Sequence, residues 1–566
     1  MHVLVRGSWR RAAAIRPLCD GSWRRRSLHE STETALNIQK SHYPSMELPQ
    51  GNLVDLVFKN VSKWTNKTAT ECSVTGRSYT YEQLMEGVGR WGGLLAKLGV
   101  TKGDVVGIAL PNCPEYPMIL FGTLAVGATV TTINPVYTPE EISRQLSDSQ
   151  AKLVVGDPQI ETTLSEALRL YKCPTHLVIN GPSSTQGSLN LQKILDDPTI
   201  PLVDPVKLTG EEIAVLPYSS GTTGPPKGVS VSHNALSANT VRFSHPDIFG
   251  VRPTTETQQE AFLCLMPFFH VYGIVVLTIC GLYEGAKLLT LPKFDSNTYI
   301  DLIYQHQIQT LHLVPPILNF LINSPKATPE TMSHVKRIAC GAAPVHPSAA
   351  RALREKINSD AFFHEGWGMT EVLIASLVPN RLEKIGTIGK LLPDVTAKVV
   401  SLTTGEALPA HQDGEICIKT PSMMSGYHNN PKATAETIDS EGWLHTGDVG
   451  HYDEEGFFKI VDRTKELIKV KAFQVSPSEL EDVIRQHPDV LDVGVVGVQH
   501  DRLGEAPRAF VVAKDNLKPD DIHRFLESRV AEHKRLAGGV NFVEALPKNS
   551  TGKLLRKELA KMSADC

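Results

Sequence analysis

The sequence predicts an α/β fold in three parts: a large N-terminal domain of layered α/β sheets, a β-rich subdomain, and a small α+β C-terminal domain. Three observations carry this. Apolar strand-like and helix-like runs alternate from about residue 50, the pattern of a parallel, layered core. After about residue 385 short strands and turns take over. A polar run, Asp462-Arg463-Thr464-Lys465, then precedes a segment with its own helix cap and apolar stripe.

The elements follow in order. Thr80–Leu98 reads as a helix opened by Thr-Tyr-Glu, Val105–Leu110 as a strand and Pro114–Ala128 as an apolar helix. Thr129–Asn134 is a strand, Tyr137–Ser147 a helix and Lys152–Val155 a strand. Glu284–Leu291, Thr310–Val314 and Arg337–Cys340 read as further strands. Ala397–Leu402, Gly414–Lys419 and Val449–Val461 form the β-rich part, the last folding around Asp453-Glu454-Glu455-Gly456. Ser476-Pro477-Ser478-Glu479 fits an N-cap serine, an N1 proline and a capping-box glutamate. Strands at Val490–Val498 and Val540–Leu546 and helices at Asp520–His533 and Leu554–Met562 complete the C-terminal unit. The expected boundaries are an N-terminal domain over 36–461, a hinge at 462–465 and a C-terminal lid over 466–566.

Composition narrows the function. The 566 residues exceed what one core usually organises. A net charge of −4 gives no reason to expect a nucleic acid partner. Nine cysteines lie scattered without CxxC or zinc spacing, so reduced, mostly buried thiols are expected. Phe262–Tyr283 lacks Asp, Glu, Lys and Arg, yet its Pro267, His270 and Gly273 fit a buried core segment and not a transmembrane helix. Residues 1–35 carry Arg6, Arg10, Arg11, Arg16, Arg24, Arg25 and Arg26 against few acids, and repeat Gly-Ser-Trp-Arg-Arg. That composition predicts a mitochondrial transit peptide, with a cytoplasmic location as the alternative. The closing Ser-Ala-Asp-Cys is not a peroxisomal signal. The oligomeric state is left open.

The chemistry concentrates in Tyr218-Ser219-Ser220-Gly221-Thr222-Thr223-Gly224-Pro225-Pro226-Lys227-Gly228, between the strand-like runs Ala214–Pro217 and Val229–Ser232. Glycines let a backbone approach phosphate, hydroxyls supply donors and Lys227 supplies charge. A glycine after the lysine excludes a Walker A loop. This segment resembles the phosphate loop of the adenylate-forming superfamily, which includes acyl-CoA synthetases, 4-coumarate–CoA ligases and firefly luciferases. Six more motifs follow in the family's order: PFFHVYG at 267–273, GAAP at 341–344, GWGMTE at 366–371, HTGD at 445–448, DRTKELIKVKAFQV at 462–475 and PKNSTGK at 547–553. The resemblance spans about residues 45–560. It implies a small carboxylic acid as substrate, with ATP, Mg²⁺ and coenzyme A, and a mobile C-terminal domain turning about a hinge near Lys465. Acid and ATP would give acyl-AMP and pyrophosphate; coenzyme A would then displace AMP.

The resemblance also implies roles. Ser219, Ser220, Gly221, Thr222, Thr223 and Lys227 would hold the β- and γ-phosphates. Thr370 would contact the α-phosphate and Glu371 would bind Mg²⁺. Gly341, Ala342 and Ala343, with Glu365, Gly366 and Gly368, would line the adenine and acyl side, and Trp367 would stack on adenine. Asp448, aided by Arg463, would accept the ribose hydroxyls. Lys553 would bridge the carboxylate and the α-phosphate, whose mutual repulsion calls for a cation. Lys469 would serve the thioester step after domain rotation, with Lys465 and Gln474 on the same moving segment. Lys293 and Lys471 would meet the coenzyme A phosphates, and Ala472 the pantetheine tunnel. His270, Val271 and Tyr272 would line the acyl site, His270 as its gate, with Val275, Leu373 and Ile374 as further wall candidates. The mostly apolar wall suggests a fatty or aryl acid.

Three positions depart from the family pattern. Trp367 stands for tyrosine, which keeps an aromatic face and loses a hydroxyl. Glu365 stands for glutamine and brings a carboxylate toward the acyl site. Ala472 stands for a glycine, where a methyl would narrow the tunnel or strain the backbone. Two alternatives remain: adenylation with another acceptor, such as oxygen or a carrier-protein thiol, and a catalytically dead nucleotide-binding scaffold.

Overall fold

The structure, a computed structural model, describes residues 37–219, 226–343, 345–358, 360–379, 382–471, 473–500, 502–514, 517–527, 529–549 and 552–564. Residues 1–35, expected to be a transit peptide, Ser220–Thr223 of the phosphate loop and Ala472 lie outside the described residues, as does the Gln474 side chain.

Two nine-stranded sheets form the body. In the first, the strands Thr129–Thr132, Val105–Ala109, Ala151–Gly156 and His176–Ile179 run parallel, each returned by a helix. Ile213–Val215 extends one edge in parallel, Lys227–Ser232 follows antiparallel to it, and Tyr218–Ser219 pairs with the start of Lys227–Ser232. In the second, Thr310–Leu313, Arg337–Cys340 and the first half of Phe362–Met369 are parallel, and Leu373–Leu377 folds back antiparallel. The predicted α/β alternation is observed, with element ends moved by one to three residues. The Tyr81–Lys97 helix starts at a capping box, Thr80 accepting from the Gln83 N–H while the Gln83 side chain accepts from Thr80 N–H. A continuous buried core that includes Trp91, Tyr116, Phe121, Phe262, Phe268 and Phe363 joins both sheets.

A five-stranded antiparallel sheet carries Thr396–Val400, Gly414–Lys419, Leu444–Tyr452 and Phe458–Arg463, with Ile38–Lys40 on its edge. Asp462 and Arg463, expected in the hinge, are the end of its last strand. The C-terminal unit has a separate core of Ile468, Val475, Leu480, Ile484, Val493, Val511, Ile522 and Leu526. Ser476 caps the Pro477–Ile484 helix as expected, accepting from Glu479 N–H at 3.1 Å. The Glu479 carboxylate completes no capping box; it is drawn to Lys534 at 2.6 Å. The expected helix over 520–533 is cut short at Glu527 and gives way to a 3₁₀ turn at Glu532–Lys534.

Phe262–Tyr283 is a core segment: the Ala261–Cys264 strand, a π-helix over Tyr272–Cys280 and a final helical turn, Gly281–Tyr283. Among the described residues no helix is long and apolar enough to cross a membrane. π-Helical turns are uncommon and concentrate at functional sites; this one begins at the segment holding His270, Val271 and Tyr272.

Candidate active site

The site assembles at the carboxyl ends of the parallel strands of the second sheet. Cys340 and Glu365 are register partners on adjacent strands, so Gly341-Ala342-Ala343 and Gly366-Trp367-Gly368 leave the sheet side by side. Ala342 lies in the left-handed region at φ 70°, a strained conformation of the kind found at ligand sites. Gly366 to Met369 then pairs with Leu373–Leu377, with a bulge at Trp367/Gly368. Thr370 and Glu371 sit half-buried and buried in the connecting turn.

The metal-side cluster joins three distant segments. Glu371 Oε1 accepts from Ser219 Oγ at 3.2 Å and from the Tyr427 hydroxyl at 2.9 Å. Lys227 lies over the Tyr427 ring, its Nζ 4.7 Å from the centroid. Ser219 and Lys227 are register partners, so they form the two feet of the phosphate loop. Among the described residues Glu371 Oε2 takes no hydrogen bond, which leaves a carboxylate oxygen beside the phosphate loop. Magnesium is commonly held this way, by one or two carboxylates plus substrate phosphates, so the residues present fit it. Tyr427 escaped the sequence reading. Its only local signal is a Gly-Tyr pair, and it reaches the site because Gly426–Tyr427 pairs with Lys227–Ser232.

The nucleoside-side cluster is compact. Trp367 Nε1 donates to Asp448 Oδ2 at 2.9 Å, and Arg463 Nε meets Asp448 Oδ1 at 2.9 Å. Asp448 and Arg463 are register partners on adjacent strands of the five-stranded sheet. Burial pushes the Asp448 carboxyl above its ordinary value, against the opposing pull of Arg463 and Lys553. Lys553 is lowered by its own burial and by the charge of Arg463, while Glu466 and Asp448 act the other way. Lys553 is half-buried while Lys548 and Asn549 of its loop stay exposed, and Gly552 beside it packs against Pro316 of the large domain, so this end of the loop is docked near the nucleoside cluster. Three residues on, Arg556 pairs with Glu466 at 2.8 Å and with Glu481. Arg556, too, went unread from the sequence: nothing local separates it from a solvated helix arginine.

On the acyl side, Tyr272 is half-buried, with its hydroxyl 3.3 Å from His312 Nδ1 and 3.4 Å from Ala339 O. A Cβ added at Gly341 would stand 4.0 Å from the Tyr272 ring and 3.3 Å from Gly366 O, so the tyrosine and the two glycine segments share one wall. His270 and Val271 are also half-buried beside it. His270 is lowered by burial and so is neutral near pH 7. Val275 and Leu373, read as wall candidates, are buried in the core.

Glu365 differs from its expectation. Its Oε1 accepts from Val345 N–H at 3.1 Å and its Oε2 from Gly386 N–H at 3.3 Å, so the carboxylate braces the loop after Gly341 instead of facing an incoming acid. Lys469, Lys471 and Lys293 are exposed, and among the described residues no contact joins them to the nucleoside cluster. Lys465 is likewise exposed.

The AMP-binding enzyme family matches residues 57–428, and the family's C-terminal domain matches residues 479–553. A probable 4-coumarate–CoA ligase 3 of Dictyostelium discoideum is 35% identical over 538 residues, covering 92% of this chain and 96% of its own. The 4-coumarate–CoA ligase 1 of Arabidopsis thaliana is 36% identical over 537 residues, covering 92% and 94%. Among solved structures, ATP-bound MatB from Rhodopseudomonas palustris superposes with a TM-score of 0.83 at 28% identity, over 91% of this chain and 99% of that one. A benzoate CoA ligase from Burkholderia xenovorans shares the fold, with a TM-score of 0.79 at 24% identity.

Proposed function

The chain belongs to the adenylate-forming superfamily of AMP-binding enzymes and is an AMP-forming acid–CoA ligase; from that premise we propose a fatty or aryl acid as its substrate. The observation that carries the reading is the half-buried Lys553, next to Gly552 packed on Pro316 of the large domain and close enough to Asp448 and Arg463 for their charges to act on it. This is the arrangement the first half-reaction needs.

In this reading Asp448 and Arg463 hold the ribose, and Trp367 offers its face to adenine while its indole N–H orients Asp448. Lys553 lies between the incoming carboxylate and the α-phosphate, where two anions must meet. Ser219, Lys227 and Thr370 hold the phosphates. Glu371, kept in place by Ser219 and Tyr427, is the residue that would hold magnesium, which when bound neutralises phosphate charge. Tyr272, Val271 and the neutral His270 form the acyl wall. A half-buried aromatic beside two glycine segments accommodates a flat ring or an extended chain, and the named relatives act on an aryl acid. Lys469, exposed here, reaches the thioester after the C-terminal unit turns. The Arg-rich residues 1–35 support import into mitochondria.

The test is a panel of aliphatic and aryl acids with ATP, Mg²⁺ and coenzyme A, scored for AMP and acyl-CoA. Turnover of aliphatic or aryl acids supports the reading. Adenylation without acyl-CoA would point to another acceptor. Absence of acid-dependent exchange of pyrophosphate into ATP with every acid would sink it.

A further inference from the structure

The five-stranded sheet brings together three side chains that the nucleotide chemistry does not use. Glu415 and Cys417 are two residues apart on one strand, and His445 is the register partner of Cys417 on the next. His445 Nδ1 lies 2.8 Å from Glu415 Oε2 and 3.5 Å from Cys417 Sγ, and ligand atoms of all three residues fall within 4.8 Å of one another. We propose that Glu415, Cys417 and His445 bind a thiophilic divalent cation of the zinc class.

Geometry supports the choice of ion. Zinc–sulfur and zinc–nitrogen bonds in a tetrahedral site imply a sulfur–nitrogen edge of about 3.5 Å and a nitrogen–oxygen edge of about 3.3 Å. The first matches the Cys417–His445 separation; the second asks Glu415 to move by about half an ångström. A thiolate, an imidazole and a carboxylate together suit zinc over magnesium or calcium. Cys417 packs with Val400 and Trp443 at the base of the site, while His445 is 34% exposed and leaves a fourth position for water.

The surroundings are built for it. His445 Nε2 faces Asp439 Oδ2 at 3.6 Å, a carboxylate poised to orient the ring of a histidine ligand. Lys398, the register partner of Cys417 on the other side, is turned onto the Trp443 ring, its Nζ 4.7 Å from the centroid. On binding, the Cys417 thiol loses its proton to solvent and the imidazole proton resides on Nε2, facing Asp439. The site also touches the bulge that aims Asp448. Glu415 Oε1 accepts from Gly447 N–H at 3.0 Å, and Gly447, at φ 70°, is where the strand irregularity turns Asp448 toward Trp367.

The experiment uses the full chain, freed of metal by a chelator, with Cys19, Cys173 and Cys566 replaced by serine. Cobalt(II) should bind with one-to-one stoichiometry, give a thiolate charge-transfer band, and be displaced by zinc. Cys417→Ser should abolish the band, and Glu415→Gln and His445→Gln should each weaken zinc binding at least tenfold, with circular dichroism unchanged. No band at stoichiometric cobalt, or a band that survives Cys417→Ser, overturns the proposal. So does zinc affinity indifferent to both Glu415→Gln and His445→Gln.

Discussion

At the scale of single residues, two departures from the family pattern have physical consequences. Trp367 loses a tyrosine hydroxyl but gains an indole N–H, and that N–H donates to the buried Asp448 carboxylate. A hydrogen bond to a charged group contributes about 1.5–3 kcal/mol. Trp367→Phe should therefore raise the KM for ATP by about tenfold or more, measured by initial rates at saturating acid. Glu365 is pushed up to about 7 from 4.5, chiefly by burial, with two backbone N–H groups opposing. A carboxyl raised in the folded state holds a proton that the unfolded chain releases. Its stabilising effect is complete below about pH 4.5 and is lost as pH rises through about 7, up to about 3 kcal/mol. Glu365→Gln removes this dependence. Urea unfolding at pH 5 and pH 8 should find the variant gaining on the parent at the higher pH. The identity of Glu365 was legible as a departure; its partners, Val345 and Gly386, were not, because they converge only when the loops pack.

At the scale of elements, the Phe362–Met369 and Leu373–Leu377 hairpin links the phosphate and nucleoside clusters. Its crossing is too close for a side chain: a Cβ at Gly368 would lie 1.8 Å from Leu373 O. Gly368→Ala should open the hairpin, displace Thr370 and Glu371, and cut pyrophosphate exchange at least tenfold. Circular dichroism separates this from unfolding. The motif was readable as residues, but its strand character was not, since glycine, tryptophan and methionine carry no strand periodicity there. The parallel strands were readable because they are continuous apolar runs. Ser476 was readable as a cap because its signal is local; Glu479 was misread because Lys534 arrives from a distant turn.

At the scale of the whole molecule, in the proposed reading the C-terminal unit sits in the arrangement for adenylation, since Lys553 is half-buried and Lys469 exposed. Lys553→Ala should lower pyrophosphate exchange by about 10²–10³, while Lys469→Ala should spare exchange and slow acyl-CoA formation. If both variants lose only the first step, the two-arrangement reading is wrong. Docking can also be blocked without touching either lysine. Gly552, at φ 80°, lies so close to Pro316 of the large domain that a Cβ would stand 2.3 Å from its ring. Gly552→Val should suppress acyl-AMP formation yet leave thioester formation from supplied acyl-AMP, assayed with coenzyme A alone.

By itself, the sequence determined the α/β class, the order of the motifs and the charged residues proposed for the reaction, because local patterning and motif spacing are properties of the chain. Tertiary structure alone decided which residues meet. Tyr427 reaches Glu371, Arg556 pairs with Glu466, Glu365 turns to the backbone, and Cys417 finds His445 on a neighbouring strand. Each of these pairs is distant in sequence, or depends on a side-chain direction, and is made only by strand register and domain docking.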